Sequence, residues 1–88
     1  MFYSGATMTR ARLPEDDVLA LSQREQEVLV EMARGLSNRQ VAARLCISKS
    51  TLSHHIGAIY AKLGGVTRSQ AILYAIRARL VDPHLPEE

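Results

Sequence analysis

The sequence predicts an all-α domain of four helices within a chain of 88 residues. Two observations carry this prediction. Apolar residues recur at the three- and four-residue spacing of amphipathic helices, and no segment shows the alternation that predicts a strand. Three segments also begin with Ser or Thr followed three residues later by Glu or Gln, which is the capping-box pattern of a helix start.

Composition divides the chain into three parts. Residues 1–20 include polar and charged side chains together with Gly5 and Pro14, so we expect a flexible arm or linker. Residues 21–81 hold the helical patterns and form the predicted domain. Residues 82–88 contain two prolines, and we expect a disordered tail there. The hydrophobic fraction of 47% is enough for the core of one small domain.

The first two helices begin at capping boxes, and helix 2 is short. Ser22 and Glu25 form the box of helix 1, which ends near Gly35, a residue suited to the left-handed position after a helix. Ser37 and Gln40 repeat the spacing at the start of helix 2. The residues of helix 2 that we expect to face inward are Val41, Ala42 and Leu45.

Helix 3 is longer than helix 2. Helix 3 follows Ser48 and ends at the glycine pair of residues 64–65. Thr67 and Gln70 form the capping box of helix 4, which we expect to run to about residue 80. The apolar residues of helix 3 fall on one narrow face, at Leu52, Ile56, Ile59 and Leu63.

A turn of about three residues, 46–48, separates helices 2 and 3. A short helix, a tight turn and a longer helix form the helix-turn-helix layout, in which the second helix lies in the DNA major groove. The sequence therefore predicts a four-helix helix-turn-helix domain with helix 3 as the recognition helix.

The charge pattern points to a polyanionic partner. Residues 33–80 carry eight basic side chains and no acidic one, and this asymmetry favours a polyanionic ligand such as nucleic acid. A solvated basic surface explains the charge alone equally well.

The single cysteine, Cys46, excludes an intrachain disulfide and suits a reducing cytoplasm. No apolar run approaches the ~20 residues that span a bilayer.

The residues expected to contact bases and phosphates lie on helix 3 and beside it. At ~100° per residue the side opposite the apolar face carries only small or neutral residues, and this pattern alone is more typical of a plain solvent face. In a helix-turn-helix protein we expect base contacts there from Ser50, Ser53, His54 and Gly57. The N–H groups and dipole at the start of the helix favour phosphate. The expected phosphate contacts are Arg39, Lys49, Thr51, His55, Lys62 and Arg68. For His55, half-buried packing against helix 2 is an equally good interpretation.

Residues 21–80 resemble the LuxR-type helix-turn-helix family, the output domain of many bacterial response and quorum-sensing regulators. The matching segments are LSQREQEVL (21–29), GLSNRQVA (35–42) and LCIS (45–48), followed by Thr51-Leu52, His55-Ile56, Ile59 and Lys62-Leu63. The resemblance implies double-stranded DNA binding, transcription regulation and a location in the bacterial cytoplasm at the nucleoid. It also implies that the positions of Ser53, His54 and Gly57 touch bases.

The sequence departs from the family pattern at two positions. Ser53 stands where Lys or Arg is usual, and Ala58 stands where Asn is frequent. Together with Gly57, these residues leave the expected reading face without a fixed positive charge. They motivate an alternative function, a protein-interaction module derived from the helix-turn-helix fold that has lost sequence-specific DNA binding.

Helix 4 carries more apolar circumference than so small a fold needs to bury. We expect a homodimer interface at Leu73, Ile76 and Leu80, since the family often dimerises through this helix; scattered surface hydrophobics are the alternative. Most relatives carry a sensor or receiver domain ahead of this one. The chain is accordingly expected to be either a stand-alone regulator or the output domain of a larger protein.

Metal and enzyme chemistry are not expected. Cys46, His54 and His55 do not converge on one side of the fold, and a tetrahedral metal site needs four ligands. The sequence has no phosphate-binding glycine loop, and its serines suit helix caps better than nucleophiles. The sequence therefore predicts no cofactor and no metal.

Overall fold

The computed structural model describes residues 13–81. A 3-10 helix, Pro14–Ala20, precedes four α-helices, namely α1 (Gln23–Ala33), α2 (Asn38–Leu45), α3 (Lys49–Lys62) and α4 (Arg68–Arg77). These residues contain no strand, so the predicted all-α fold is confirmed. The arm predicted for residues 1–12 and the tail predicted for residues 82–88 lie outside the described part of the chain.

Each α-helix begins at a side-chain cap. The capping boxes predicted for α1, α2 and α4 are all present. In the first, the Ser22 hydroxyl accepts from the Glu25 N–H at 3.1 Å, and the Ser22 N–H donates to Glu25 Oε1 at 2.9 Å. At α3 the Ser48 hydroxyl accepts from the Thr51 N–H at 3.0 Å. The start of every α-helix is therefore fixed by residues three positions apart.

The core lies between α1, α3 and α4, and α2 packs against α1 and α3. It is aliphatic, and its largest fully buried side chains include Leu29 and Met32 of α1 and Leu52 and Ile59 of α3. Burial of each such side chain contributes about 1.5–3 kcal/mol. Because α3 buries one complete face here, its opposite face is turned towards solvent.

The turn between α2 and α3 depends on a left-handed residue that is not glycine. Cys46 has φ 58°, and the chain closes the helix end by donating from the Ile47 N–H to the Ala42 carbonyl at 3.0 Å. A side chain in this conformation costs roughly 1–2 kcal/mol. This reversal allows α3 to begin after a turn of only three residues, 46–48.

Residues 14–20 differ from the flexible arm that the sequence suggested. They form the 3-10 helix, which packs against α4 and buries Val18 completely. Leu21 is also buried, and the Gln26 side-chain amide donates to the carbonyls of Val18, Leu19 and Leu21 at 3.2–3.3 Å. Seven residues are too few to show an apolar period, so only packing against the domain reveals this element.

The end of α4 also differs from its prediction. The helix ends at Arg77, a few residues earlier than expected, because Arg79 adopts a left-handed conformation with φ 62°. The Leu80 N–H then donates to the Ala75 carbonyl at 2.9 Å. This reversal returns Leu80 to the edge of the core.

Candidate nucleic-acid interface

The outer face of α3 is open to solvent. Its rear face is buried, with Leu52 at 1% and Ile59 at 0% exposure. The residues predicted to face bases are all exposed on the other side, namely Ser50, Ser53, His54 and Gly57. The division of α3 into a buried and an open face thus follows the helical spacing read from the sequence. Contact of these four residues with bases stays a prediction.

A shallow depression lies in the middle of this outer face. It is lined by Ser53, His54, Gly57 and Ala58. A Cβ added at Gly57 would meet no atom within 4 Å, so the fold itself leaves room for a side chain there. Glycine inside a helix costs ~1 kcal/mol relative to alanine. Gly57 therefore keeps the middle of the outer face free of a side chain, at a cost to helix stability.

The first turn of α3 combines a free cation with polar groups. Lys49 is exposed and makes no hydrogen bond or ion pair with residues 13–81. The Ser48 hydroxyl donates to Thr51 Oγ1 at 3.0 Å, which leaves the Thr51 hydroxyl hydrogen available to a ligand. Since free N–H groups at a helix start also favour anions, this end is chemically suited to phosphate.

The four cations predicted to hold phosphate fall into two groups. Arg39 and Lys49 are exposed and have no partner among residues 13–81. Arg68 instead donates to Asn38 Oδ1 at 2.7 Å and to the Leu36 carbonyl at 3.0 Å, which ties the start of α4 to the start of α2. Lys62, the last residue of α3, is also engaged within the fold.

Lys62 forms an ion pair with Glu25 of α1. Its ammonium lies 2.9 Å from Oε1 and 3.0 Å from Oε2 of a carboxylate whose side chain is only 8% exposed. The hydrogen bond from Lys62 is the main cause that lowers the pKa of Glu25, and the Ser22 N–H acts in the same direction against the opposing effect of burial. The sequence indicated only the capping role of Glu25.

Further internal ion pairs reduce the positive charge available to a ligand. Glu31 lies between Arg34 and Arg44, with both N···O distances at 2.9 Å. Arg24 contacts Glu27 at 2.8 Å and donates to the carbonyl at the end of α2. Half of the eight cations between residues 33 and 80 therefore hold the fold together. The other half have no partner within the described chain, namely Arg39, Lys49, Arg77 and Arg79.

His55 is half-buried at the border between the two faces of α3. The residues predicted to form a dimer interface are also divided. Leu73 is 42% exposed, whereas Ile76 and Leu80 are partly buried. Leu80 packs against the core, so it contributes to the fold of one chain. Leu73 is consequently the most available of the three to a second copy.

The described residues offer no metal site and no membrane span. Between residues 13 and 81, no group of three His, Cys, Asp or Glu side chains is placed to hold an ion. Cys46 is exposed in the turn before α3. None of the described helices combines the length and apolar character that a bilayer crossing requires.

Comparisons with known proteins identify the family of this domain. Residues 19–75 match the family model of "Bacterial regulatory proteins, luxR family". The chain is 43% identical over 60 residues to the uncharacterized transcriptional regulatory protein YhcZ of Bacillus subtilis, covering 68% of this chain and 28% of the relative. It is 44% identical over 62 residues to the probable transcriptional regulatory protein NarL of Mycobacterium tuberculosis, covering 70% and 29%.

A third relative is the response regulator protein VraR of Staphylococcus aureus, which is 36% identical over 61 residues, covering 69% of this chain and 29% of that protein. The match thus spans less than a third of the length of these relatives. No solved structure matches the chain. On the family match over residues 19–75, the chain belongs to the luxR family of bacterial regulatory proteins, which are DNA-binding transcription regulators and not enzymes.

Proposed function

We propose that this chain binds double-stranded DNA sequence-specifically and regulates transcription, with α3 in the major groove. The observation that carries the proposal is the one-sided burial of α3, which leaves its whole outer face open and free of bulky side chains other than His54. A major groove about 12 Å wide admits one helix. Low-profile residues allow its backbone to approach the base edges closely.

The contacts divide between bases and phosphates. Base edges face the depression in the middle of the helix and its neighbour Ser50, with His54 as the main hydrogen-bonding group. Phosphates are held by Arg39, Lys49, Thr51 and the N–H groups at the start of α3. His55 lies at the groove edge beside them. Arg68 supports this surface from within by tying α4 to α2.

Two copies bind one operator as a homodimer in this proposal. The exposed Leu73 and the neighbouring Ile76 of α4 supply the apolar contact, with Leu80 beside them. Two-fold symmetry then places two α3 helices about one helical turn of DNA apart, and the operator is an inverted repeat.

The matched relatives are longer than the region that they share with this chain. VraR, by its name, is a response regulator, and the matched region covers 29% of it. We propose that a receiver or sensor domain acts together with this domain in the bacterial cytoplasm, where the protein associates with the nucleoid through DNA. The signal reaches α3 through the relative placement of two DNA-binding domains.

Selection from random duplex DNA near physiological salt tests the function directly. Enrichment of an inverted repeat with half-sites ~10 base pairs apart is the expected result. Retention that falls with salt and enriches no motif means backbone binding without sequence specificity. Absence of retention would leave the protein-interaction module as the better explanation, which the uncharged residues Ser53, Gly57 and Ala58 favour.

The dimer has a separate test. Sedimentation of the protein with and without a selected operator measures its stoichiometry, and Leu73→Glu is expected to convert two-to-one binding into weaker one-to-one binding. Arg77→Glu is a control for the stoichiometry, since it adds an acidic group at an exposed position of the same helix without removing apolar area. Its affinity is not compared, because the change also removes an unpaired cation. Equal behaviour of the two variants would count against Leu73 as the contact.

A further inference from the structure

Lys62 has a different environment from the other lysine of α3. Lys49 begins the helix and reaches no partner within residues 13–81, whereas Lys62 ends it with its ammonium between both oxygens of Glu25. The family motif contains a lysine at the position of Lys62, and a cation beside a DNA-binding helix invites the interpretation of a phosphate contact. The geometry favours another role.

A single carboxylate joins two distant points of the chain. Glu25 Oε1 accepts from the Ser22 N–H at the start of α1 and from the Lys62 ammonium at the end of α3, although Lys62 follows Glu25 by 37 residues. The carboxylate is almost completely buried, and a buried carboxylate without its cation is strongly unfavourable. If the Lys62 ammonium moved to a phosphate, the Glu25 carboxylate would therefore stay buried without its cation.

The ion pair acts on the direction of α3. Apolar contacts of Leu52 and Ile59 hold the rear face against the core, but hydrophobic burial is not directional. A hydrogen-bonded pair at the last residue fixes one end of a helix of 14 residues. Such a helix is about 21 Å long, so a tilt of roughly 5° about one end moves the other by ~2 Å. That displacement is enough to disrupt contacts with base edges.

We infer that Lys62 is a positioning residue for DNA binding, which acts through Glu25 to set the angle of α3 in the groove and makes no phosphate contact of its own. This role rests on the proposed binding of DNA by α3. The phosphate contacts of α3 are then confined to its first turn. Glu25 belongs to the same device and is required for binding although it carries negative charge.

The salt dependence of binding separates positioning from phosphate contact. The slope of log Kobs against log salt concentration is negative. Each phosphate contact adds about 0.9 to its magnitude, because the contact releases a counterion. We would measure this slope for the whole chain on a selected operator with Lys49→Met and Lys62→Met. These variants remove the same charge from the two ends of one helix. Urea unfolding of each free variant verifies that it is folded at the binding temperature.

The expected result differs between the two lysines. Lys49→Met makes the negative slope shallower by about 0.9. Lys62→Met weakens binding roughly 3- to 30-fold with the slope unchanged, since it disturbs geometry and not counterion release. Loss of ~0.9 from the slope in Lys62→Met would overturn the inference and leave the proposed function intact. Absence of salt-dependent binding by the unmodified chain would overturn the proposed function, and this inference with it.

Glu25→Gln provides a second test with opposite signs. The amide oxygen of glutamine can still accept from the Ser22 N–H, so the cap of α1 is retained while the charge is lost. If Lys62 positions α3, Glu25→Gln weakens binding, and the double variant with Lys62→Met is no weaker than the worse single variant. If Lys62 binds phosphate and Glu25 competes for it, Glu25→Gln strengthens binding, and the inference fails. Lys62→Arg is expected to restore most of the affinity by keeping the pair.

Discussion

The two faces of α3 place opposite demands on neighbouring residues. The rear face is closed, since Leu52, Ile56 and Ile59 are all buried in the core. The outer face is open, and its central residues contact little of the protein itself. The comparison teaches that the residues of α3 that stabilise the core are not the residues proposed to recognise DNA. Substitutions on the two faces are therefore expected to affect two different measurements.

The largest effect is expected from Leu52→Ala compared with Ser53→Ala. Removal of the Leu52 side chain leaves a cavity at a site of 1% exposure and costs about 2–5 kcal/mol of unfolding free energy. Ser53→Ala on the exposed face changes stability by at most about 0.5 kcal/mol. Urea unfolding of the free protein measures both. Similar losses in the two variants would show that the outer face is also packed.

His54→Ala is the corresponding change for recognition. His54 is exposed, so the free protein is expected to keep its unfolding free energy within about 0.5 kcal/mol. Discrimination between the operator and a singly mismatched site should fall by about 1–3 kcal/mol at the base pair that His54 reads. Competition binding with a set of single-mismatch duplexes measures this. Uniform weakening on every duplex would instead assign His54 to the phosphates.

The pattern of one helix was predictable because it is local. Caps join residues three positions apart, and the apolar stripe of α3 repeats within 12 residues, so spacing alone predicted both faces. The contacts that orient the helices were not predictable in this way. Glu25–Lys62 and Leu36–Arg68 join residues more than 30 positions apart, and nothing in the local spacing pairs them.

Local spacing also did not predict which cations are free to bind a ligand. The sequence counts eight cations between residues 33 and 80, but the fold pairs Arg34 and Arg44 with Glu31, which lies outside that acid-free stretch. Likewise, Val18 and Leu19 are adjacent apolar residues, and only the packing of the 3-10 helix on α4 identifies Val18 and not Leu19 as core. Tertiary contacts thus decided which residues remain available to DNA.

The ion pair at the end of α3 has a pH signature. Because Lys62 lowers the pKa of Glu25 in the folded state, the pair contributes stability above the usual pKa of glutamate, ~4.3. That contribution is lost as pH falls through the lowered pKa. Lys62→Met is expected to cost about 1–2 kcal/mol at pH 7, since Lys62 itself is half-exposed.

Urea unfolding of the native chain and Lys62→Met between pH 7 and pH 3 measures that signature. The difference between the two proteins is expected to be constant down to about pH 5 and to shrink below pH 4. Lys49→Met provides the control, because an unpaired exposed lysine contributes no such difference. A cost of Lys62→Met that persisted unchanged at pH 3 would show that the lysine stem and not the charge pair holds the end of the helix.

Gly57→Ala is expected to change stability and DNA binding in opposite directions. Gly57 lies inside α3, and a Cβ there meets nothing within 4 Å, so alanine should raise the unfolding free energy by about 0.5–1 kcal/mol. The melting temperature of a domain of this size should then rise by roughly 2–8 °C. DNA binding should weaken, because the added methyl group stands where the helix backbone approaches the base edges.

Gly35→Ala is the matched control for the expected rise in melting temperature. Gly35 has the same open surroundings but φ 88°, a left-handed conformation that costs alanine about 1–2 kcal/mol. It should therefore lower the melting temperature, whereas Gly57→Ala raises it, although both add one methyl group. If Gly57→Ala raised both the melting temperature and the affinity for the operator, the outer face would not meet DNA closely at Gly57. A glycine that weakens its own helix would then be without a role in recognition.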